Sequence, residues 1–230
     1  IVHALRKIGF HKVFDSDFTA DLTIMEEGTE FLHRMQNHGT LPLITSCCPA
    51  WVKYCETYGY DQLDHLSTAK SPQQMFGAVI KTFFAEKEKI NPKDICSVSV
   101  MPCTAKKFEC RRKEFHDSGF QDVDISITVV ELAKMIRTAG IHFEDLEDQE
   151  FDAPFGLGSG AGQIFGSTGG VMEAALRTVY EVLTGETLEK LEFMQVRGLE
   201  GIREASLTIK GQEIRVAIVH GLKNVEGILE

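Results

Sequence analysis

The sequence lacks any apolar run long enough to cross a bilayer: its apolar stretches, such as residues 96–101, have the length of a strand. It also lacks a basic segment followed by an apolar leader at its start, so we expect a cytoplasmic protein. Positive charge is scarce, since 24 Lys and Arg face 34 Asp and Glu and leave a net charge of −10. The one basic cluster, within residues 106–113, is short and interrupted by Glu109, which argues against a nucleic-acid surface.

The six cysteines are more informative. In a chain of this size without a secretory leader, they indicate reduced thiols available to a metal rather than a disulfide framework. Cys47 and Cys48 are adjacent, and adjacent thiols do not easily bind one cluster together, so we expect them to have different roles. Cys55, Cys96 and Cys110 are interpreted as small apolar side chains of the core, which is the common state of a buried cysteine.

Strand-like and helix-like segments alternate along the chain, which predicts an α/β fold with largely parallel pairing. The predicted helices cover about 17–37, 51–58, 72–89, 128–138 and 171–183. The predicted strands cover 12–14, 41–44, 95–101, 123–127, 193–197, 205–209 and 214–219. A polar stretch at 111–121 is the predicted seam between two lobes, residues 1–115 and 116–230. We expect each lobe to be a twisted, mostly parallel or mixed sheet flanked by helices, with a cofactor in the cleft between them.

Two predicted strands run directly into cysteine loops, TSCCPAW at 45–51 and MPCTAKKFE at 101–109. Ligands of open α/β sheets bind beyond the carboxyl ends of the strands, so thiolates of Cys48 and Cys103 are placed to meet across a crevice. On spacing alone, metal binding and apolar packing are equally consistent with these two thiols. The glycine-rich stretch 156–170 lacks the frame of a phosphate loop, and close backbone approach to a bulky cofactor explains it better.

A charged face runs along the first long helix. Glu27, Glu30 and Arg34 lie at i, i+3 and i+7, so two carboxylates and a guanidinium follow one another on one side. Taken by itself, this pattern is typical of a solvated, ion-paired helix face.

The two cysteine loops resemble the first and second signatures of iron-only (di-iron) hydrogenases. Residues 21–27, 66–74 and 166–175 resemble the same family, so the similarity covers essentially the whole chain. The resemblance implies reversible reduction of protons to dihydrogen at an H-cluster, in which a 4Fe-4S cluster is linked to a di-iron site with CO and CN ligands. The third signature, a cysteine pair in a glycine-rich loop, is not among these residues. Because a four-iron cluster needs four thiolates, we expect the others in a longer chain, and no complete cofactor on residues 1–230 alone.

The resemblance also implies roles for individual thiols. Cys48 and Cys103 match the cysteines that bind the four-iron cluster. Cys47 matches the residue that transfers protons to the di-iron site, and an unperturbed thiol with a pKa near ~8.5 can both give and accept a proton.

Further roles follow from the same resemblance. The proton path from the surface matches Glu27, Ser67, Glu30 and Arg34, with Ser67 between the two glutamates and Arg34 keeping Glu30 ionised. Lys106 matches a lysine that donates to a cyanide ligand, and Glu109 is spaced to anchor it. The remaining cofactor-lining positions match Ser71, Pro72, Gln73, Met101, Phe165 and Gly166.

A second function belongs to a different class. Hydrogenase-like proteins of cytosolic iron–sulfur assembly evolve no hydrogen, so an iron–sulfur scaffold is the alternative, and a sensory hydrogenase is a third hypothesis. The assembly proteins generally lose the thiol beside the first cluster ligand, whereas this sequence keeps Cys47, which favours the enzyme. The implied partners are protons and dihydrogen, a redox partner such as ferredoxin or accessory iron–sulfur modules, and maturation proteins that make the cofactor. No nucleic acid and no membrane span are expected.

Overall fold

The computed structural model describes residues 1–188, 194–195 and 201–229. In that part of the chain, the helices are α1 (Val2–Ile8), α2 (Asp17–Gln36), α3 (Pro49–Tyr58), α4 (Pro72–Val79), α5 (Ala85–Glu88), α6 (Ala105–Glu109), α7 (Val129–Thr138), α8 (Gly160–Phe165), α9 (Gly170–Thr184) and α10 (Leu222–Leu229). The strands are β1 (Val98–Met101), β2 (Ile125–Thr128), β3 (Met194–Gln195), β4 (Ile202–Ile209) and β5 (Gln212–Val219). The predicted α/β class is confirmed.

The helices match the sequence pattern where local signals are strong. Pro72 starts α4 directly after Ser71, whose hydroxyl caps the helix by accepting from the Gln74 N–H. This helix continues through one π-helical turn, Ile80–Phe84, into α5, so the predicted helix 72–89 is confirmed with an irregular centre. The predicted helix 128–138 begins with a capping box, in which the side chains of Thr128 and Glu131 each accept from the other residue's main-chain N–H.

The two sheets differ in their strand direction. β1 and β2 pair in parallel, with Ser99 opposite Ser126, and this pairing joins strands on either side of the predicted seam at 111–121. β3, β4 and β5 form an antiparallel sheet, so the described strands include both parallel and antiparallel pairs, within the mostly parallel or mixed pairing expected. Lys210 and Gly211, both with positive φ, form the two-residue turn between β4 and β5, as hairpins require. Of the predicted strand 193–197, residues 194 and 195 are confirmed; the rest lies outside the described residues. The division into lobes 1–115 and 116–230 stays a prediction.

Two short predicted strands were wrong. Residues 12–14 are irregular because the main chain of Val13 is bound by Asp152 instead of a strand: its N–H donates to the carboxylate at 2.9 Å, and its carbonyl accepts from the Asp152 N–H at 2.8 Å. Residues 41–44 contribute only one bridge, in which Ile44 N–H donates to His65 O and Ile44 O accepts from the Ser67 N–H. That single bridge brings the first cysteine loop beside Ser67.

Helix α2 is the central support of the site. It packs against α4, α8 and α9, and its apolar residues join a core with Leu176 and Val179 of α9 and Ile209 and Ile214 of the hairpin. A second core lies between α1 and α7. None of the helices in the described part of the chain combines the length and the apolar character needed to span a lipid bilayer.

Three of the seven glycines in residues 156–170 allow the chain to pack closely against itself. A Cβ at Gly158 or Gly162 would lie 2.9 Å and 2.5 Å from atoms of Asp17, at the start of α2. A Cβ at Gly170 would collide with the carbonyl of Ile164. Close approach of the chain to itself therefore replaces the cofactor explanation at these three positions.

Candidate active site

The first cysteine loop and α6 meet at a half-buried lysine. Lys106 Nζ donates to the carbonyl of Cys47 at 2.8 Å and to both carboxylate oxygens of Glu109 at 3.1 Å. The predicted Lys106–Glu109 contact is therefore confirmed. Cys48 is the N-cap residue of α3, and Cys103 lies shortly after β1. Both thiols are free and exposed, while Cys47 is half-buried.

The thiol of Cys47 does not have the ordinary pKa expected from the sequence. Burial raises the pKa of Cys47 to about 12, and the nearby Glu27 carboxylate adds to the effect, while Lys106 opposes it. Removing a charge from water is costly, so the neutral form is favoured. Cys47 therefore carries its proton throughout the neutral pH range in this structure.

Glu27 is a buried carboxyl on α2 with 3% of its surface exposed. Neither carboxylate oxygen makes a hydrogen bond of normal geometry within the described residues. Burial raises the pKa of Glu27 to about 7, and the charge of Glu30 adds to the effect; the Ser46 main chain and the Ser67 hydroxyl oppose it more weakly. Protonated and ionised forms are thus both populated near neutral pH, which suits an acid–base group.

Glu30, one helical turn further along α2, is held in the opposite state. Partial burial would raise its pKa, but hydrogen bonds from the Ser67 hydroxyl, Arg34 and the Thr68 N–H outweigh burial and lower it. Ser67 Oγ donates to Glu30 Oε2 at 2.9 Å, and Arg34 donates to Oε1 through Nη2 at 2.6 Å. The Thr68 N–H donates to Oε2 at 3.0 Å. The expected ionised Glu30 beside Arg34 is confirmed.

An open groove of about 560 Å³ leads from solvent to Glu30. Its wall includes Thr68 and Lys70 on one side and Glu26 and His33 of α2 on the other. Arg34 does not line it. Only 12% of the Arg34 side chain is exposed, because its guanidinium donates to a ring of main-chain oxygens, those of Thr40, Asp64, His65 and Leu66. Arg34 therefore holds Glu30 and the adjoining loops in place, and Glu30 is the residue that meets the groove.

A polar network links α4 to Lys106. Ser71 Oγ donates to Glu109 Oε2 at 2.9 Å, and Gln73 Nε2 donates to the same oxygen at 2.9 Å. Ser71, Gln73 and Glu109 are each buried. Buried polar groups are stable only when bonded, so this network fixes the geometry of the lysine.

The structure joins half of the predicted site residues, in two groups. Hydrogen bonds connect Cys47, Lys106, Ser71 and Gln73 around Glu109, and a second set connects Ser67 and Arg34 to Glu30. Among the described residues, no side-chain hydrogen bond of normal geometry and no ion pair joins these groups to the other predicted site residues, which are Glu27, Cys48, Cys103, Met101, Pro72, Phe165 and Gly166. Met101, Pro72 and Phe165 are half-buried and Gly166 is exposed at the end of α8. Their contact with a cofactor stays a prediction.

The remaining three cysteines differ in burial. Cys55 and Cys110 are buried, as expected of apolar packing, and Trp51 is buried beneath the first loop. Cys96 is exposed, so its interpretation as a core residue was wrong. Cys96 lies in the short loop between the 3-10 turn Pro92–Asp94 and β1.

The sequence interpretation missed two serines. Ser99 and Ser126 each interrupt an apolar strand, in the orders Val-Ser-Val and Ile-Ser-Ile. A hydroxyl among apolar strand residues was the signal that could have found them.

The buried carboxyl of Glu27 makes a pH-dependent stability effect measurable. The pKa of Glu27 in the folded protein, about 7, lies above the ordinary glutamate value of 4.5, so the folded state binds the proton more tightly than the unfolded state does. Its contribution is present below pH 4.5 and is lost as pH rises through about 7. Glutamine does not ionise. We therefore expect the free energy of unfolding of Glu27→Gln, measured relative to that of the parent, to increase by roughly 2 to 3 kcal/mol between pH 5 and pH 8.

Unfolding of the full-length parent and variant at both pH values measures this difference. Glu26→Gln is the matched control because Glu26 is the preceding residue of α2 and is exposed. Parallel pH profiles for parent and Glu27→Gln would show that Glu27 is ionised in the folded state at neutral pH.

The chemistry of the loop donors fits an iron–sulfur group. Cysteine thiolate is the usual ligand of such clusters, and Cys48 and Cys103 are free thiols in the two loops next to Lys106. The half-buried ammonium of Lys106 suits an anionic group. Among the residues that the structure describes, no three His, Cys, Asp or Glu side chains are grouped to hold a metal ion.

Comparisons with known proteins agree with this chemistry. The chain is 53% identical over 99% of its length to the NADP-reducing hydrogenase subunit HndD of Solidesulfovibrio fructosivorans, and 48% identical over 99% to the periplasmic Fe hydrogenase large subunit of Nitratidesulfovibrio vulgaris. It spans 40% and 54% of those two proteins. A solved apo FeFe-hydrogenase from Chlamydomonas reinhardtii superposes with a TM-score of 0.87 and 42% identity, over 98% of this chain and 64% of that one.

A more distant group carries a different name. Cytosolic iron-sulfur assembly component 3 of Pongo abelii is 33% identical over 98% of this chain, which spans 49% of that protein. The family model described as "Iron only hydrogenase large subunit, C-terminal domain" matches residues 1–230. This chain therefore belongs to the iron-only hydrogenase large subunit family, as the resemblance of its cysteine loops predicted.

Proposed function

We propose that this chain forms most of the catalytic domain of an iron-only hydrogenase that reversibly reduces protons to dihydrogen. The observation that carries the proposal is the graded acid–base series beside the cysteine loops. Glu30 at the groove is ionised, Glu27 has a pKa of about 7, and the thiol of Cys47 is protonated. A scaffold that only carries a cluster has no need of such a series.

The cofactor we propose is a 4Fe-4S cluster linked to a di-iron site with CO and CN ligands. Cys48 and Cys103 would hold the four-iron part, together with thiolates from outside the described residues. When bound, the group supplies the redox centre at which protons and electrons combine. Lys106 would present its ammonium to a cyanide ligand, and the lining residues would be Ser71, Pro72, Met101, Phe165 and Gly166.

The protein's own part in the reaction is to move protons and to exclude water. Glu30 takes up a proton at the groove, where its carboxylate faces solvent. The Ser67 hydroxyl, bonded to Glu30, passes a proton inward by giving up its own and accepting another. Glu27 receives it at a carboxyl whose pKa of about 7 costs little free energy in either direction. Cys47 then holds the proton on Sγ at the inner end of the path.

The alternative remains an iron–sulfur scaffold or assembly protein without hydrogen turnover. The 33% identity to a cytosolic assembly component favours keeping it as an alternative. The presence of Cys47 with the buried Glu27 argues for the enzyme. Burying a carboxyl whose oxygens make no hydrogen bond of normal geometry costs stability, and groups with strongly shifted pKa values are concentrated at functional sites.

We further propose electron exchange with ferredoxin or with accessory iron–sulfur modules, and assembly of the cofactor by maturation proteins. A cytoplasmic location is proposed because all six cysteines are free thiols. One relative is named periplasmic, so fractionation of the source cells is the direct test.

The function is tested on the full-length protein after maturation. We expect iron for both the four-iron cluster and the di-iron site, together with evolution of dihydrogen from a reduced low-potential donor. Iron for the four-iron cluster alone, with no turnover after successful maturation of a known hydrogenase in the same preparation, would identify the scaffold instead.

A further inference from the structure

The side-chain amide of Gln73 uses all its hydrogen-bonding capacity inside the protein. An amide offers two N–H donors and an oxygen with two lone pairs. Nε2 donates to Glu109 Oε2 at 2.9 Å and to the Lys106 carbonyl at 3.2 Å. Oε1 accepts from Ser99 Oγ at 2.7 Å and from Ser126 Oγ at 3.3 Å. With 2% of its surface exposed, the side chain has no free donor left for a cofactor ligand.

The two serines are neighbours across the parallel sheet. Ser99 of β1 lies opposite Ser126 of β2, so both side chains project from the same face. Both hydroxyls donate to a single oxygen, so two hydrogen bonds hold this end of the amide against the sheet. A hydroxyl can also accept a hydrogen bond, so the serines fix the position of the amide, and the acceptors at its other end decide which way round it lies.

The other end of the amide then faces Glu109. This carboxylate is 3% exposed and accepts from Ser71, Gln73 and Lys106. A reversed Gln73 would set its oxygen against the carboxylate, two acceptors without a proton between them. The carboxylate in turn holds Lys106 Nζ, whose third contact is the Cys47 carbonyl.

We propose that Ser99 and Ser126 are positioning residues, which hold the Gln73 amide in place so that Glu109 keeps the Lys106 ammonium beside Cys47. Gln73 then acts through Glu109, rather than by lining the cofactor as the resemblance implied. The proposal rests on the proposed function only for what Lys106 serves. Each serine can hold the amide oxygen alone, so the loss of both is expected to exceed the sum of the single losses.

The test measures how well Lys106 is held. The full-length protein, purified without iron and again after maturation, is treated briefly with acetic anhydride, and acetylation of Lys106 is compared with that of Lys107 by mass spectrometry. In Ser99→Ala/Ser126→Ala we expect the Lys106-to-Lys107 ratio to rise roughly tenfold, which corresponds to about one lost buried hydrogen bond. Lys107 is the internal control because it pairs with Glu131, away from this network.

Rescue separates positioning from general loosening. Ser99→Thr/Ser126→Ala keeps one hydroxyl, so the parental ratio is expected to return. Ser99→Ala alone, which removes the shorter bond, is expected to raise the ratio less, and it keeps the test informative if the double variant does not fold. An unchanged ratio in both alanine variants, or equal gains at Lys106 and Lys107, would overturn the proposal. Because the iron-free measurement needs no hydrogen turnover, its outcome is independent of the proposed activity.

Discussion

The Cys47→Ala variant of the full-length protein is expected to keep its iron, while its rate of hydrogen turnover falls at least about a hundredfold. A loss of this size is usual when a proton-transfer group is removed. Cys47 holds the inner end of the path and carries a proton at neutral pH. Alanine removes that proton carrier. It preserves the contact of Lys106, because the lysine bonds the main-chain oxygen of Cys47 rather than its sulfur.

The measurement combines iron content, the cofactor spectrum and the rate of hydrogen evolution. Cys96→Ala is the matched control, since Cys96 is an exposed thiol outside the site. Turnover equal to that of the parent would remove Cys47 from the proton path. Iron lost together with activity would instead make Cys47 a ligand.

Glu30→Gln is the second variant with a large expected effect, again of the order of a hundredfold in turnover. The amide has nearly the same shape and can still bond Ser67, but it cannot take up and release a proton at neutral pH. The charge that Arg34 now balances disappears as well, although the guanidinium keeps its bonds to the surrounding main-chain oxygens. Folding and cofactor spectra should therefore remain close to those of the parent.

The control for this variant lies on the same helix. Glu26 lines the same groove and is exposed, so Glu26→Gln changes the charge at the groove without touching the path. We expect its rate and pH profile to match those of the parent. Near-parental rates in Glu30→Gln would return Glu27, Glu30 and Arg34 to the simpler interpretation of an ion-paired helix face.

That simpler interpretation could not be rejected from spacing. The i, i+3, i+7 pattern correctly places Glu27, Glu30 and Arg34 on one side of α2, but it does not tell how deeply each is buried. Glu27 is enclosed while Glu26, its neighbour, is exposed. Burial depends on which other elements cover the helix, and those elements come from distant parts of the chain.

Local signals did predict the elements themselves. Ser71 followed by Pro72 starts α4, Thr128 with Glu131 starts α7, and Lys210-Gly211 turns the hairpin, because each depends on bonds within a few residues. The short strands at 12–14 and 41–44 failed for the opposite reason. Three or four apolar residues form a strand only if a partner strand is present, and here Asp152 and a single bridge at Ile44 take that place.

By itself the sequence determined the α/β class, the long helix α2 and the two cysteine loops whose pattern identifies the family. Only the tertiary structure decided how these parts work together. The Ile44–Leu66 bridge brings Ser67 to Glu30, burial sets the pKa of Glu27 near 7, and the pairing of β1 with β2 aims Ser99 and Ser126 at one amide. The physical reason is that desolvation and hydrogen-bond geometry depend on residues that are distant in sequence and become neighbours only when the chain packs.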